Sequence, residues 1–153
     1  MVTSADRQML SKLRVLVVDD QDMVALLVHF LQDMDVRNIY RATGGAAAID
    51  QLNTVPLGVQ LVICDSDTPK QNGLEILKYV RKTFHDMPFV MLDAHVTAEA
   101  ITAARAEGVT EHLTKPFNVA TLQERVVAAA QVYYGADAQI AGDSEDGDDS
   151  WEI

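Results

Sequence analysis

Between residues 12 and 134, short β-branched apolar runs alternate with stretches whose apolar residues recur every three to four positions, and the joining segments are short. Few folds are open to a chain patterned in this way. Leu13 to Val18, Val59 to Cys64 and Phe89 to Leu92 are near-continuous apolar runs of the kind that strands buried on both faces require. Two weaker runs, Asn38 to Tyr40 and Glu111 to Thr114, read as strands nearer an edge. Between them Val24, Leu27, Val28 and Leu31 fall at i, i+3, i+4 and i+7, while Leu122, Val126 and Ala129 repeat the stripe behind Asn118, a good N-cap. Ala46 to Leu52, Leu74 to Phe84 and Thr97 to Glu107 complete five helices, punctuated by signals such as Gly108 and Gly135. Five βα units predict an α/β fold: parallel strands need crossover connections, the crossovers are right-handed, and helices therefore cover both faces of the sheet.

The rest of the chain sets the limits. Its 153 residues suffice for one domain that buries roughly two-thirds of its unfolded surface. The composition, 48% hydrophobic and 23% charged, is that of a globular protein, and no apolar run nears the roughly 20 residues needed to span a bilayer. The amino end lacks a secretory layout and the single cysteine, Cys64, excludes an internal disulfide, so a cytoplasmic protein is expected. The net charge of −11 is unevenly spread: residues 136–153 hold seven acids and no base, leaving sixteen acids against twelve bases in the remainder. No Lys/Arg cluster is present to grip a phosphate backbone, which argues against nucleic-acid binding. The division expected is an N-terminal extension (1–11), one domain (12–134) and a disordered acidic tail (135–153), since Gly142 to Ser150 offers no apolar side chain to repay ordering.

In an open parallel sheet the ligand site lies at the carboxyl ends of the strands. There the first strand runs into Asp19 and Asp20, the third into Asp65, the fourth into Asp93 and the fifth into Lys115 and Pro116. Paired carboxylates repel by about 3 kcal/mol at roughly 5 Å and an effective dielectric of about 20, so the cluster asks for a cation. Oxygen donors without His or Cys partners suit Mg²⁺ better than zinc or iron. Taken singly, each aspartate also reads as a helix N-cap: Asp20 or Asp22 stands before the first of these helices, and Asp67 opens a loop.

These residues, in this order, resemble a response-regulator receiver domain of the single-domain, chemotaxis-signalling type over about residues 12 to 134. The match rests on Val17 to Asp20, on Val62 to Leu77 around Asp65, on Pro88 to Ala94, and on Gly108 through Lys115, Pro116 and Phe117. The resemblance implies a flavodoxin-like (βα)5 sheet of order 2-1-3-4-5. It further implies a phosphoryl group passed from a histidine kinase or histidine phosphotransfer protein to Asp65, with Mg²⁺ held by Asp19, Asp20, Asp65 and the backbone carbonyl of Asp67. Lys115, before a cis peptide bond to Pro116, is implied as the partner of Asp65 and then of the phosphoryl group. The same resemblance points to residues 97–134 as the face that binds a protein target. Pro69 and Gly73 fit as structural members, the first stiffening the loop after Asp65 and the second allowing a tight turn into a helix.

Two positions depart from that pattern. Where the family has Thr or Ser, whose hydroxyl donates to the phosphoryl group, this chain has Asp93, and an ionised carboxylate only accepts. Three arrangements are open to it: protonated beside the phosphoryl group, turned away from it, or engaged with Lys115 in imitation of the activated site. A fourth reading leaves it facing solvent. The usual switch aromatic of the fifth strand is His112, which is either a rotating switch or a packed side chain. His95 and Asp67 flank the expected phosphoryl position, His29 and His85 read as helix-surface residues, and Cys64 as a small buried hydrophobe. The expected function is a single-domain response regulator that is not an enzyme beyond its own phosphorylation and dephosphorylation. A phosphorylation-independent adaptor held in one conformation by Asp93 is the alternative. A mononucleotide enzyme is disfavoured, because Asp19 and Asp20 stand where a Gly-rich phosphate loop belongs.

Overall fold

The computed structural model describes residues 2–67 and 72–135. Pro69, the acidic segment 136–153 and Trp151 within it lie outside the described residues. The elements follow in the order α1 (Ser4–Ser11), β1 (Arg14–Val18), α2 (Gln21–Asp33), β2 (Asn38–Ala42), α3 (Gly45–Thr54), β3 (Leu61–Asp65), α4 (Gly73–Thr83), β4 (Phe89–Asp93), α5 (Ala98–Ala106), β5 (Glu111–Thr114) and α6 (Val119–Ala130), with a π-helical turn over Gln131–Gly135.

The five strands form one parallel sheet in the order β2-β1-β3-β4-β5. This is the order the resemblance implies. β1, β3 and β4 are the central strands and are almost wholly buried, whereas β2 and β5 at the edges are only partly so. Pleating sends alternate residues to opposite faces. Val15, Val17, Ile63 and Leu92 pack on one side among α1, α2 and α6, and Leu16, Val18, Cys64 and Met91 pack on the other among α3 and α4. The stripe Val24, Leu27, Val28 and Leu31 is the buried face of α2, as its spacing predicts.

Residues 4–11, set apart in the sequence reading as an extension, are a helix. Thr3 caps it in a reciprocal box with Asp6, and Met9 and Leu10 reach the core, Leu10 with 0% exposure. Arg7 pairs with Asp35 beyond α2, and Gln131 donates a hydrogen bond to Asp6, so α1 is fastened to the turn after α2 and to the turn after α6. At the other edge α5 buries one side chain, Ala104, which makes it the most lightly packed of the six helices described. Gly108, at φ +82°, takes the left-handed conformation that ends α5.

Gly73 does not serve as a turn glycine. It is the first residue of α4 behind the N-cap Asn72, and a Cβ there would stand 2.6 Å from the carbonyl oxygen of Asp65 and 2.7 Å from the Cα of Ser66. The glycine is required by close approach: the start of α4 presses directly on the end of β3.

Candidate functional site

Asp19 follows β1, Asp65 and Asp93 end β3 and β4, and Lys115 follows β5, so the parallel register gathers all four at one edge of the sheet. Lys115 reaches inward: its Nζ donates to Asp19 Oδ2 at 2.8 Å and to Asp65 Oδ1 at 3.1 Å. The Lys115–Pro116 bond is cis. Asp19 is nearly sealed off, with 1% exposure, and its second oxygen accepts the Asp20 N–H at 2.7 Å. Burial raises the Asp19 pKa above the ordinary carboxylate value, and the neighbouring Asp65 charge adds to the rise, while Lys115 and the Asp20 amide oppose it. For Lys115 burial acts against the ammonium, but its bonds to Asp19 and Asp65 prevail and raise its pKa. The centre is thus short of positive charge, with one ammonium facing two carboxylates.

Asp20 is exposed and caps α2, its Oδ1 accepting the Met23 N–H at 2.8 Å. The N-cap reading of that residue is therefore correct, and it leaves Oδ2 available. Among the described residues no three carboxylates, imidazoles or thiolates converge closely enough to enclose a metal. A hard cation that keeps several waters needs no such cage, and the all-oxygen set of Asp19, Asp20 and Asp65 fits Mg²⁺ on those terms. Asp67 is exposed on the loop after β3.

Asp93 is not a solvent-facing strand end, being 5% exposed, and its carboxylate makes no bond to the Lys115 ammonium. Its Oδ1 accepts the Ser66 hydroxyl at 3.0 Å and the His95 N–H at 2.9 Å, and its Oδ2 lies 3.6 Å from His112 Nε2. Two of the readings left open by the sequence, a carboxylate facing solvent and one engaged with Lys115, are therefore not the arrangement seen. His112 sits opposite Met91 in the β4–β5 register, which puts it diagonal to Asp93 on the same face. The imidazole is partly buried. His29 and His85 are exposed and Cys64 is fully buried, its thiol pKa pushed well up by burial.

Ser66 escaped the sequence reading altogether. A signal for the group was nonetheless present: the two departures from the family pattern, Asp93 and His112, occur together on neighbouring strands, as contacting partners would.

Residues 15–127 match the sequence pattern of the response regulator receiver domain. A chemotaxis protein CheY homolog of Campylobacter jejuni is 36% identical over 118 residues, covering 74% of this chain and 89% of that protein. Among solved structures, the chemotaxis response regulator CheY4 of Vibrio cholerae superposes with a TM-score of 0.69 at 28% identity, covering 76% of this chain and 98% of its own. A receiver domain protein from Clostridium thermocellum, at 23% identity and a TM-score of 0.71, shares the fold. Among the described residues no helix is long and apolar enough to cross a membrane. With the family pattern spanning every strand of the sheet, this chain belongs to the response-regulator receiver family, a family of two-component signalling proteins and not of catalytic enzymes.

Proposed function

We propose that this receiver accepts a phosphoryl group on Asp65 from a histidine kinase or histidine phosphotransfer protein, in a Mg²⁺-dependent reaction, and signals by binding a protein through residues 97–134. The observation that carries the reading is the Lys115 ammonium held between Asp19 and Asp65 at the strand ends. An Asp65 oxygen attacks phosphorus as the N–P bond of the donor breaks, and the departing imidazole keeps its electron pair and takes up a proton. The reaction needs an in-line approach and charge neutralisation more than covalent help. Lys115 supplies one fixed positive charge, and Asp19 and Asp20, with the Asp67 carbonyl, would hold the metal. Mg²⁺, when bound, adds the second positive charge that lets an anionic carboxylate approach an anionic donor. Near-complete burial of Asp19 keeps the centre dry enough for these charges to act strongly.

The test is labelling of Asp65 by acetyl phosphate or a phosphorylated histidine protein with Mg²⁺, lost in Asp65→Asn and impaired in Lys115→Ala. Label retained on another acid in Asp65→Asn would refute the assignment. The three groups around Asp93 favour a second reading, in which the receiver fold acts as an adaptor fixed in one conformation. That reading requires partner binding that ignores phosphodonor and weakens in Asp93→Thr.

A further inference from the structure

The geometry points to Ser66 and His112 as positioning residues that hold the Asp93 carboxylate off the phosphoryl position, so that Lys115 stays committed to Asp65. This rests on the phosphoacceptor reading of Asp65. A carboxylate in place of a hydroxyl at the end of β4 threatens the site in two ways: it repels the incoming phosphoryl oxygens, and it competes for the lysine one residue past β5. The competition is close at hand, because the Lys115 N–H already donates to the Asp93 carbonyl at 2.9 Å. Yet the ammonium goes to Asp19 and Asp65.

The reason lies in what the carboxylate meets instead. A buried carboxylate must be compensated where it sits. Oδ1 receives two donors, the Ser66 hydroxyl and the His95 amide, and Oδ2 faces the His112 imidazole. Asp93, Ser66 and His112 line one cavity of about 370 Å³, walled on the α5 side by Ala100, Ala103 and Ala104, and neither Asp19, Asp65 nor Lys115 borders it. Among the described residues the other ionisable groups lining that cavity are Asp67 and His95, and α5 contributes none; Asp93 is compensated there by Ser66, the His95 backbone and His112. The His95 amide is fixed by the chain, whereas the other two groups are side chains and can be removed one at a time. Without Ser66 or His112, a rotation about χ1 would let the Asp93 carboxylate turn toward Lys115, whose backbone N–H the Asp93 carbonyl already accepts.

The experiment is a set of double-mutant cycles read on the initial rate of Asp65 labelling by acetyl phosphate and Mg²⁺, with circular dichroism confirming the fold. Ser66→Ala and His112→Phe should each slow labelling by about tenfold, equivalent to ~1.4 kcal/mol. Ser66→Thr and His112→Gln, which keep a donor, should restore it. In an Asp93→Thr background neither loss should appear, which separates positioning from a purely structural role. Undiminished labelling in both single variants, or equal losses with and without Asp93, would overturn the inference. Should no form of the protein label Asp65, the phosphoacceptor reading fails by itself, and the positioning is read on the ¹⁵N resonance of the Lys115 ammonium without phosphodonor. That resonance should move in Ser66→Ala and His112→Phe only when Asp93 is present, and no movement would refute the proposal.

Discussion

Asp20 has one oxygen in use and one to offer, and substitution can part them. Oδ1 caps α2 through the Met23 N–H, and the proposed Mg²⁺ would take the other oxygen. Asparagine caps about as well as aspartate, so Asp20→Asn should keep the metal-free melting temperature and lose the rise that Mg²⁺ produces. Asp20→Ala should lose that rise and also about 1 kcal/mol of metal-free stability. An undiminished Mg²⁺ rise in both variants, measured by calorimetry, would remove Asp20 from the site. Asp19 presents the opposite case, a buried carboxylate whose pKa is raised above the ordinary value of 3.8. A raised carboxylate pKa means that the folded state holds its proton more tightly than the unfolded one, so the charge costs stability above the raised value and nothing below 3.8. Asp19→Asn should therefore raise the metal-free melting temperature at neutral pH. The gain should fade as pH falls towards the ordinary carboxylate range, and shrink when Mg²⁺ stabilises the wild type. Lys115 has the other sign: its raised pKa keeps its contribution to stability intact below the ordinary lysine value of 10.5, and only stronger alkali removes it.

At the level of elements, the legible parts of the sequence were those with a repeating apolar stripe or a recognised cap. α2 buries Val24, Leu27, Val28 and Leu31, and Asn118 caps α6 through the Thr121 amide, as the spacing and residue type predict. α1 was missed because Ser4–Ser11 has no such stripe, its buried apolar contribution being Met9 and Leu10 at one end. Its cap was visible, since Thr3 and Asp6 form a box, but a helix this short stands only by docking. Leu10→Ala should accordingly cost about 3 kcal/mol, a core penalty and not a surface one, in urea unfolding. A loss under 0.5 kcal/mol would show that α1 is dispensable. Gly73 carries a similar lesson for α4. Glycine was legible as a special residue, but the reason, a 2.6 Å approach to the Asp65 carbonyl, depends on how α4 meets β3 and is written in no local pattern. Gly73→Ala should push Asp65 out of line and lower labelling more steeply than stability, since α4 gains from alanine as a helix former.

On the scale of the molecule, the proposed acceptor site depends on topology before chemistry. Asp19 and Lys115 are 96 positions apart and meet because parallel strands end at one edge, a rule that needs no coordinates to apply. The Ser66, Asp93 and His112 group was not legible in this way. It depends on the diagonal offset between β4 and β5 and on which way a strand-end side chain turns. The residues after α6 are tied back onto the sheet and onto α1. The Tyr134 hydroxyl donates to the Gln60 carbonyl at 2.8 Å, at the approach to β3, and Gln131 donates to Asp6 in α1. Truncation after Ala130 removes both bonds and the partly buried Tyr134, a loss of about 2 kcal/mol, and should lower the melting temperature by roughly 4–8 °C. Truncation after Gly135 leaves those contacts and removes seven acids and no base, so the melting temperature should stay within about 2 °C. What should change is long-range attraction: the remaining chain has sixteen acids against twelve bases, and its association rate with a basic partner should fall relative to the full chain at low salt. The difference should vanish once salt shortens the screening length to a few ångströms. A drop of many degrees on truncation after Gly135 would instead show that the acidic segment packs on the domain.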